Sequence, residues 1–168
     1  MHTDRLYLRR FTLDDAEAYL PLLADPDVIR YVGEPPHTSV ESAREVLRSR
    51  PLRDYEVHGF GRMACIEKST GRLVGFSGLK FLEDLQDVDI GYRFLPDCWG
   101  KGYATESAQF LVNHGYGALG LSRIIGLVQR ENAASANVLR KVGLCFERSV
   151  RLENCAADLD LYATPRGA

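Results

Sequence analysis

Residues 88–129 constrain the fold most. Val88 to Leu95 alternates, with Val88, Ile90, Tyr92 and Phe94 on one side and Asp89, Gly91, Arg93 and Leu95 on the other, the period of a strand. After Pro96 the period becomes helical over about 102–119, with Ala104, Ala108, Leu111 and Gly115 along one stripe. Arg123 to Gln129 then reads as a short apolar strand. Strand, helix and strand in this order form a βαβ crossover, so the two strands are predicted to be parallel.

The remaining chain supplies partners for that unit. Leu6 to Phe11 reads as a first strand. Thr12 can cap a helix carrying Asp14 and Asp15 in its first turn and Ala16, Tyr19, Leu20 and Leu23 at helical spacing. Asp25-Pro26 breaks it, a short apolar turn covers 28–32, and Gly33 to Pro36 is a loop. Thr38 or Ser39 can cap a second helix over about 40–50, expected to end before Pro51. The runs 60–67, 73–81 and 88–95 are joined by tight polar links and predict an antiparallel meander. A last helix over 132–142 stops at Gly143, and strands over about 144–152 and 156–163 pair around Glu153-Asn154. The tail from Thr164 is expected to fray. The expected architecture is a single α/β (α+β) domain over 1–168: a mixed central sheet of about seven strands flanked by about four helices. A chain of 168 residues fits one such core without a disulfide or metal staple.

Charge and cysteine usage narrow the function classes. A net charge of -2 lacks the basic excess typical of duplex nucleic-acid binders. No apolar run reaches the roughly 18 residues of a membrane span, and no apolar segment follows the N-terminal Met1-His2-Thr3 as a secretory signal requires. Cys65, Cys98, Cys145 and Cys155 form no CxxC pair, so free thiols in a reducing cytoplasm are expected. His2, His37, His58 and His114 lack metal-ligand spacing, so no metal is expected.

The chemistry-bearing stretch is Phe94-Leu95-Pro96-Asp97-Cys98-Trp99-Gly100-Lys101-Gly102-Tyr103-Ala104-Thr105-Glu106, where a strand ends, a glycine loop turns and a helix begins. Free N–H groups and the dipole at a helix start suit a phosphate, and Gly100 and Gly102 allow close backbone approach. The same residues could form only a turn. Neither GxxxxGK[ST] nor GxGxxG is present; Thr105 stands where the third glycine of the latter belongs.

Tyr92-Arg93-Phe94 leading into Trp99-Gly100-Lys101-Gly102-Tyr103-Ala104-Thr105-Glu106 resembles the acetyl-coenzyme A loop of the GNAT superfamily of N-acetyltransferases, in the form carried by the RimJ/RimL ribosomal-protein N-terminal acetyltransferase branch. Thr3 to Arg9, Asp25-Pro26-Asp27-Val28, Asn132-Ala133-Ala134-Ser135 and Lys141-Val142-Gly143-Leu144 resemble further family segments in the same order, so the likeness spans about 3–163. Four departures stand against it. Trp99 replaces the general Gln or Arg, although Trp is usual in this branch; Leu139 occupies the place of a Tyr that protonates the leaving thiolate, Arg140 that of a frequent Glu, and Leu144 that of a common Phe.

The resemblance implies acetyl-CoA as co-substrate. The amides of Lys101, Gly102, Tyr103, Ala104 and Thr105, with Trp99 and Gly100, would hold its diphosphate. Tyr92, Arg93, Phe94 and Leu95 would pair with pantetheine beside a bulge, and an N–H near Phe94 or Leu95 would polarise the acetyl carbonyl. Asn132 and Ser135 would lie near sulfur, with Ser135 the candidate proton donor; an N-cap is their ordinary structural role. Asp89 is the candidate base, acting through water, unless it is spent on an ion pair, for which Arg93 is the nearest candidate in sequence. Glu67, Glu56 and His58 are reserves for that role, Glu106 reads as a helix-start residue, and an acyl-Cys98 route finds no neighbouring histidine. The acceptor is expected to be an amine: a peptide N-terminus, a polyamine, an aminoglycoside or another small amine. The acceptor site is expected within 25–58. Homodimers formed through late strands occur in this family. The alternative is a domain of the same fold that binds acyl-CoA without turnover.

Overall fold

The computed structural model describes residues 1–153 and 155–165. Seven strands form one sheet: β1 (Leu6–Arg9), β2 (Arg62–Glu67), β3 (Leu73–Leu82), β4 (Asp87–Phe94), β5 (Ile125–Gln129), β6 (Cys145–Val150) and β7 (Leu159–Ala163). Their order across the sheet is β1-β2-β3-β4-β5-β7-β6. All neighbours are antiparallel except β4 and β5, the crossover pair. β6 and β7 pair as expected; Thr164, where fraying was expected to begin, is instead buried and donates its N–H to Ile124 O at 3.0 Å, while Asn154 of the anticipated turn and residues 166–168 lie outside the described residues.

Seven α-helical segments cover the two faces. On one face lie α1 (Ala16–Tyr19), α2 (Pro21–Ala24), α3 (Pro26–Ile29), α4 (Val40–Leu47) and α5 (Arg53–His58); the other holds α6 (Tyr103–Gly117) and α7 (Ala133–Lys141). Each face has its own apolar core. Leu22, Leu47, Ala64 and Phe76 pack together under the first group, while Leu8, Cys65, Leu111 and Leu139 pack under α6 and α7. Adjacent β2 residues Ala64 and Cys65 therefore serve opposite cores, as strand alternation requires. The second core holds Val88, Ile90 and Phe94 of β4, the apolar set expected there.

Two expected boundaries differ. The first helix is divided, because Pro21 starts a new segment at its N1 position and turns Leu22 rather than Leu20 fully inward. The helix expected to stop before Pro51 instead passes through it. Arg48–Leu52 form a π-helical turn that leads directly into α5. The wider turn relieves the clash that a proline ring makes with a carbonyl of the preceding α-turn, and Pro51 is buried. Asp54, Tyr55 and His58 are thereby placed on a helix over the sheet rather than on a loop.

Candidate active site

The glycine turn is built as an amide cradle. Gly100 and Gly102 have φ of 74° and 83°, the left-handed region in which a side chain is strained. From Gly100 to Thr105 no backbone N–H finds an acceptor among the described residues; the Glu106 N–H closes on Gly102 O at 2.9 Å. The free amides and the positive end of the fifteen-residue α6 point to one place. The cradle is clamped by the segment that precedes β1. Arg5 donates to Lys101 O at 2.6 Å and to Glu106 Oε2 at 2.7 Å, and Glu106 Oε1 accepts from Thr3 Oγ1 at 2.6 Å. Burial pushes the Glu106 carboxyl up, but these donors outweigh it and hold the group below the usual range. These contacts engage both oxygens of Glu106 in holding the helix start. Trp99 Nε1 donates to Phe94 O at 2.8 Å and folds the loop back over the end of β4.

Beyond the cradle, β4 and β5 separate. Their pairing consists of a single register position, Asp89 opposite Ile125. Leu95 N–H is spent on Val74 O of β3 at 2.9 Å, so the alternate N–H of Phe94 faces the opening side of β4. Asp89 sits at the fork, 7% exposed. Its Oδ1 accepts the Leu127 N–H at 3.2 Å, and its Oδ2 pairs with the Arg62 guanidinium, which also donates to Asp89 O at 3.0 Å. The carboxylate thus replaces a backbone partner that β5 lost on leaving the ladder. Burial pushes the Asp89 carboxyl up against the downward pull of Arg62.

Across the fork stands the first turn of α7. Asn132 caps it, accepting Ser135 N–H at 3.2 Å. Tyr92 Oη reaches from β4 to Ser135 O at 2.8 Å and Ser135 Oγ at 3.1 Å. Burial pushes the Tyr92 phenol up, so it stays protonated. Two cavities meet here. One, of about 460 Å³, runs over the glycine turn, and the other, of about 370 Å³, opens under α3 and α5. Val28, Tyr31, Tyr92, Arg93, Asn132 and Ser135 line both.

The family profile described as an acetyltransferase (GNAT) domain matches residues 5–144. This chain belongs to the GNAT acetyltransferase family. An uncharacterized N-acetyltransferase of Bacillus subtilis, YoaA, is 34% identical over 152 residues, covering 90% of this chain and 85% of the relative. A GNAT-family acetyltransferase structure from Bacillus anthracis superposes with a TM-score of 0.81 at 28% identity, covering 97% and 96% of the two chains. The fold also matches, at 17% identity and a TM-score of 0.77, that of a Vibrio cholerae spermidine N-acetyltransferase solved with CoA and spermine; 96% of each chain is covered.

In this GNAT domain most of the anticipated site residues converge. Tyr92, Arg93, Phe94, Trp99, Gly100 and Gly102 line the larger cavity, as do Tyr103, Ala104, Thr105, Asn132 and Ser135. Leu95 and Lys101 do not. The Leu95 amide belongs to β3, and the Lys101 side chain turns back toward Glu67, Nζ to Oε1 at 3.6 Å. The splay anticipated between β4 and the strand that follows it is present as the single β4–β5 register position, while the β3–β4 pairing runs from Gly75 to Leu82 without a register shift. Asp89 pairs with Arg62, not with Arg93; Arg93 donates to Leu22 O at 3.0 Å and lies over the Phe76 ring. Leu139 is 1% exposed and packs on Gly126, so no hydroxyl replaces the Tyr there. Burial and Asp97 push the Cys98 thiol up, the opposite of activation. Glu67 is tied to Tyr103 and Thr70, and His58 lies beside Phe81, outside both cavities. Residues 25–58 contribute Val28, Tyr31, Val32, Arg50, Pro51 and Asp54 to the second cavity. Sequence reasoning missed Arg62, Lys80 and Tyr31. Arg62 and Lys80 fall inside runs read only as strands, and no local signal marks their convergence.

Proposed function

We propose that this GNAT domain transfers the acetyl group of acetyl-CoA to a primary amine in a ternary complex. The observation carrying this reading is the junction of two cavities at Tyr92, Asn132 and Ser135, with an amide cradle at the outer end of one. The cradle suits a diphosphate, and the open edge of β4 suits an extended pantetheine arm. The bound thioester supplies an activated acyl carbon. The amine forms its C–N bond there as the C–S bond breaks, and the amine proton leaves to water. Phe94 N–H is the donor that faces the developing oxyanion. Ser135 Oγ, steadied by the Tyr92 phenol, passes a water-derived proton to the departing sulfur.

Asp89 enters the proposal as the carboxylate at the fork. Both of its oxygens are engaged, so its contribution is to hold the fork open; base catalysis through water would require one oxygen to release its partner. The cations of the second cavity assist deprotonation directly, since positive neighbours favour the neutral, nucleophilic form of an amine. The test is acetyl-CoA-dependent thiol release with a panel of peptides and small amines. Ser135→Ala is expected to lower kcat about 100-fold and Tyr92→Phe less, with the affinity for coenzyme A kept. In Asp89→Asn, which keeps an acceptor for Leu127 N–H, loss of the acidic limb of the pH–rate profile would assign the base to Asp89. The buried Leu139 favours a second reading, an acyl-CoA-binding domain without turnover; tight coenzyme A binding with no thiol release from any amine would establish it.

A further inference from the structure

The second cavity carries an electrostatic signature that bears on the acceptor. Four cationic side chains line it, Arg50 of the π-turn, Arg62 of β2, Lys80 of β3 and Arg93 of β4. The carboxylates facing them are Asp54 and Asp89, with Glu34 behind Arg50. Two of these pairs are closed. Arg62 is bound to Asp89, and Arg50 holds Glu34 through two bonds of 3.0 and 3.2 Å. Lys80 and Arg93 remain, with Asp54 as the only carboxylate left for both among the described residues. Lys80 has no hydrogen-bond or ion-pair partner among the described residues, and Arg93 has only the Leu22 carbonyl and the Phe76 ring. Asp54 does not close the balance: its Oδ2 is buried without a partner, and no ion pair to Lys80 forms within 4 Å. Burial lowers the Lys80 and Arg93 pKa values and raises that of Asp54, the shifts expected of under-compensated charges.

Charged groups held away from water without a partner are costly, and a ligand of opposite sign removes that cost. We propose that the acceptor amine carries a negatively charged group, a carboxylate or a phosphate, which is received between Lys80 and Arg93 while the amine points to the fork at Tyr92 and Ser135. The inference rests on the acetyl-transfer reading and specifies its acceptor. One anionic group matches the single surplus positive charge. A polyamine would add several positive charges to a cavity that already has one too many, and would meet no free carboxylate except Asp54.

The experiment compares matched amines at saturating acetyl-CoA by thiol release: O-phosphoethanolamine against ethanolamine, β-alanine against its amide, and spermidine. At least one anionic member is expected to exceed its neutral counterpart in kcat/KM by tenfold or more, and to exceed spermidine by more. Which pair responds separates phosphate from carboxylate. Lys80→Glu is expected to reverse the order, raising spermidine relative to the anionic amine by at least tenfold, a gain that a misfolded protein cannot show. Equal or better turnover of spermidine or the neutral amines by the wild type would overturn the proposal. So would an anionic preference unchanged in Lys80→Glu while coenzyme A still binds. If no amine releases thiol, the acetyl-transfer reading fails, and binding decides the acceptor question separately. Calorimetric titration of the coenzyme A-saturated protein should then show O-phosphoethanolamine binding at least tenfold tighter than spermidine, and any other order overturns the inference.

Discussion

Replacing Arg62 by methionine removes the guanidinium and keeps much of the stem. Three bonds disappear: the ion pair to Asp89 Oδ2, the bond to Asp89 O and the bond to Gly78 O. Asp89 is left buried with one donor, Leu127 N–H at 3.2 Å. Breaking a buried pair from one side costs about 3–5 kcal/mol, because the surviving charge is neither solvated nor matched. For a domain of this size that is a fall in Tm of about 6–20 °C. The loss has a direction in pH. Burial already raises the Asp89 carboxyl and Arg62 opposes it, so the variant raises it further above the unfolded value of about 3.9. A carboxyl raised in the folded state contributes stability that is complete below the unfolded pKa and is lost as pH rises through the folded one. The deficit of Arg62→Met relative to wild type should therefore be largest at pH 7 and shrink toward pH 5. Urea unfolding across that range, for wild type, Arg62→Met and Arg62→Met/Asp89→Leu, measures it. The double variant should recover most of the loss, since removing both charges leaves no orphan. A single-variant loss below about 1 kcal/mol, or a loss that does not change with pH, would refute the claim that Arg62 offsets the burial of the Asp89 carboxyl at the fork.

Two further outcomes follow from the packing around the site. Alanine at Gly126 would set its Cβ 2.5 Å from Leu139 Cδ2 and 2.9 Å from its Cδ1, so the buried leucine must shift, and a loss of about 1–3 kcal/mol is expected by calorimetry; a neutral result would show that Leu139 can move toward the cavity it lines or that α7 can lift from β5. Burial and Asp97 raise the Cys98 thiol, whereas Cys145 is exposed, so iodoacetamide at pH 7.5 should label Cys145 at least about tenfold faster by peptide mass mapping; equal rates would contradict the buried placement of Cys98.

Much of the site was legible because its signals are local. The alternation of 88–95, the glycine turn and the helix after it are each set within a few residues of chain, and the structure keeps them as β4, the cradle and α6. Asn132 as a cap is likewise a nearest-neighbour property. What failed was long range. Arg93 lies four residues from Asp89, yet the partner is Arg62, 27 residues away, because alternate β4 side chains travel apart while β2 reaches over Gly91. Leu95 looked like a donor for the acetyl group until pairing with β3 took its amide. Pro51 looked like a stop, and a wider turn absorbed it.

The amino-acid order alone determined the elements, their α/β succession and a phosphate-sized turn, since propensity, periodicity and glycine freedom act over a few residues. Only the folded sheet decided which amides stay unpaired, which carboxylate is spent on a guanidinium and which cations are left over. Those outcomes depend on who competes for each donor and charge, and the competitors come from the segment before β1 and from β2, β3 and β5, up to 103 residues apart along the chain.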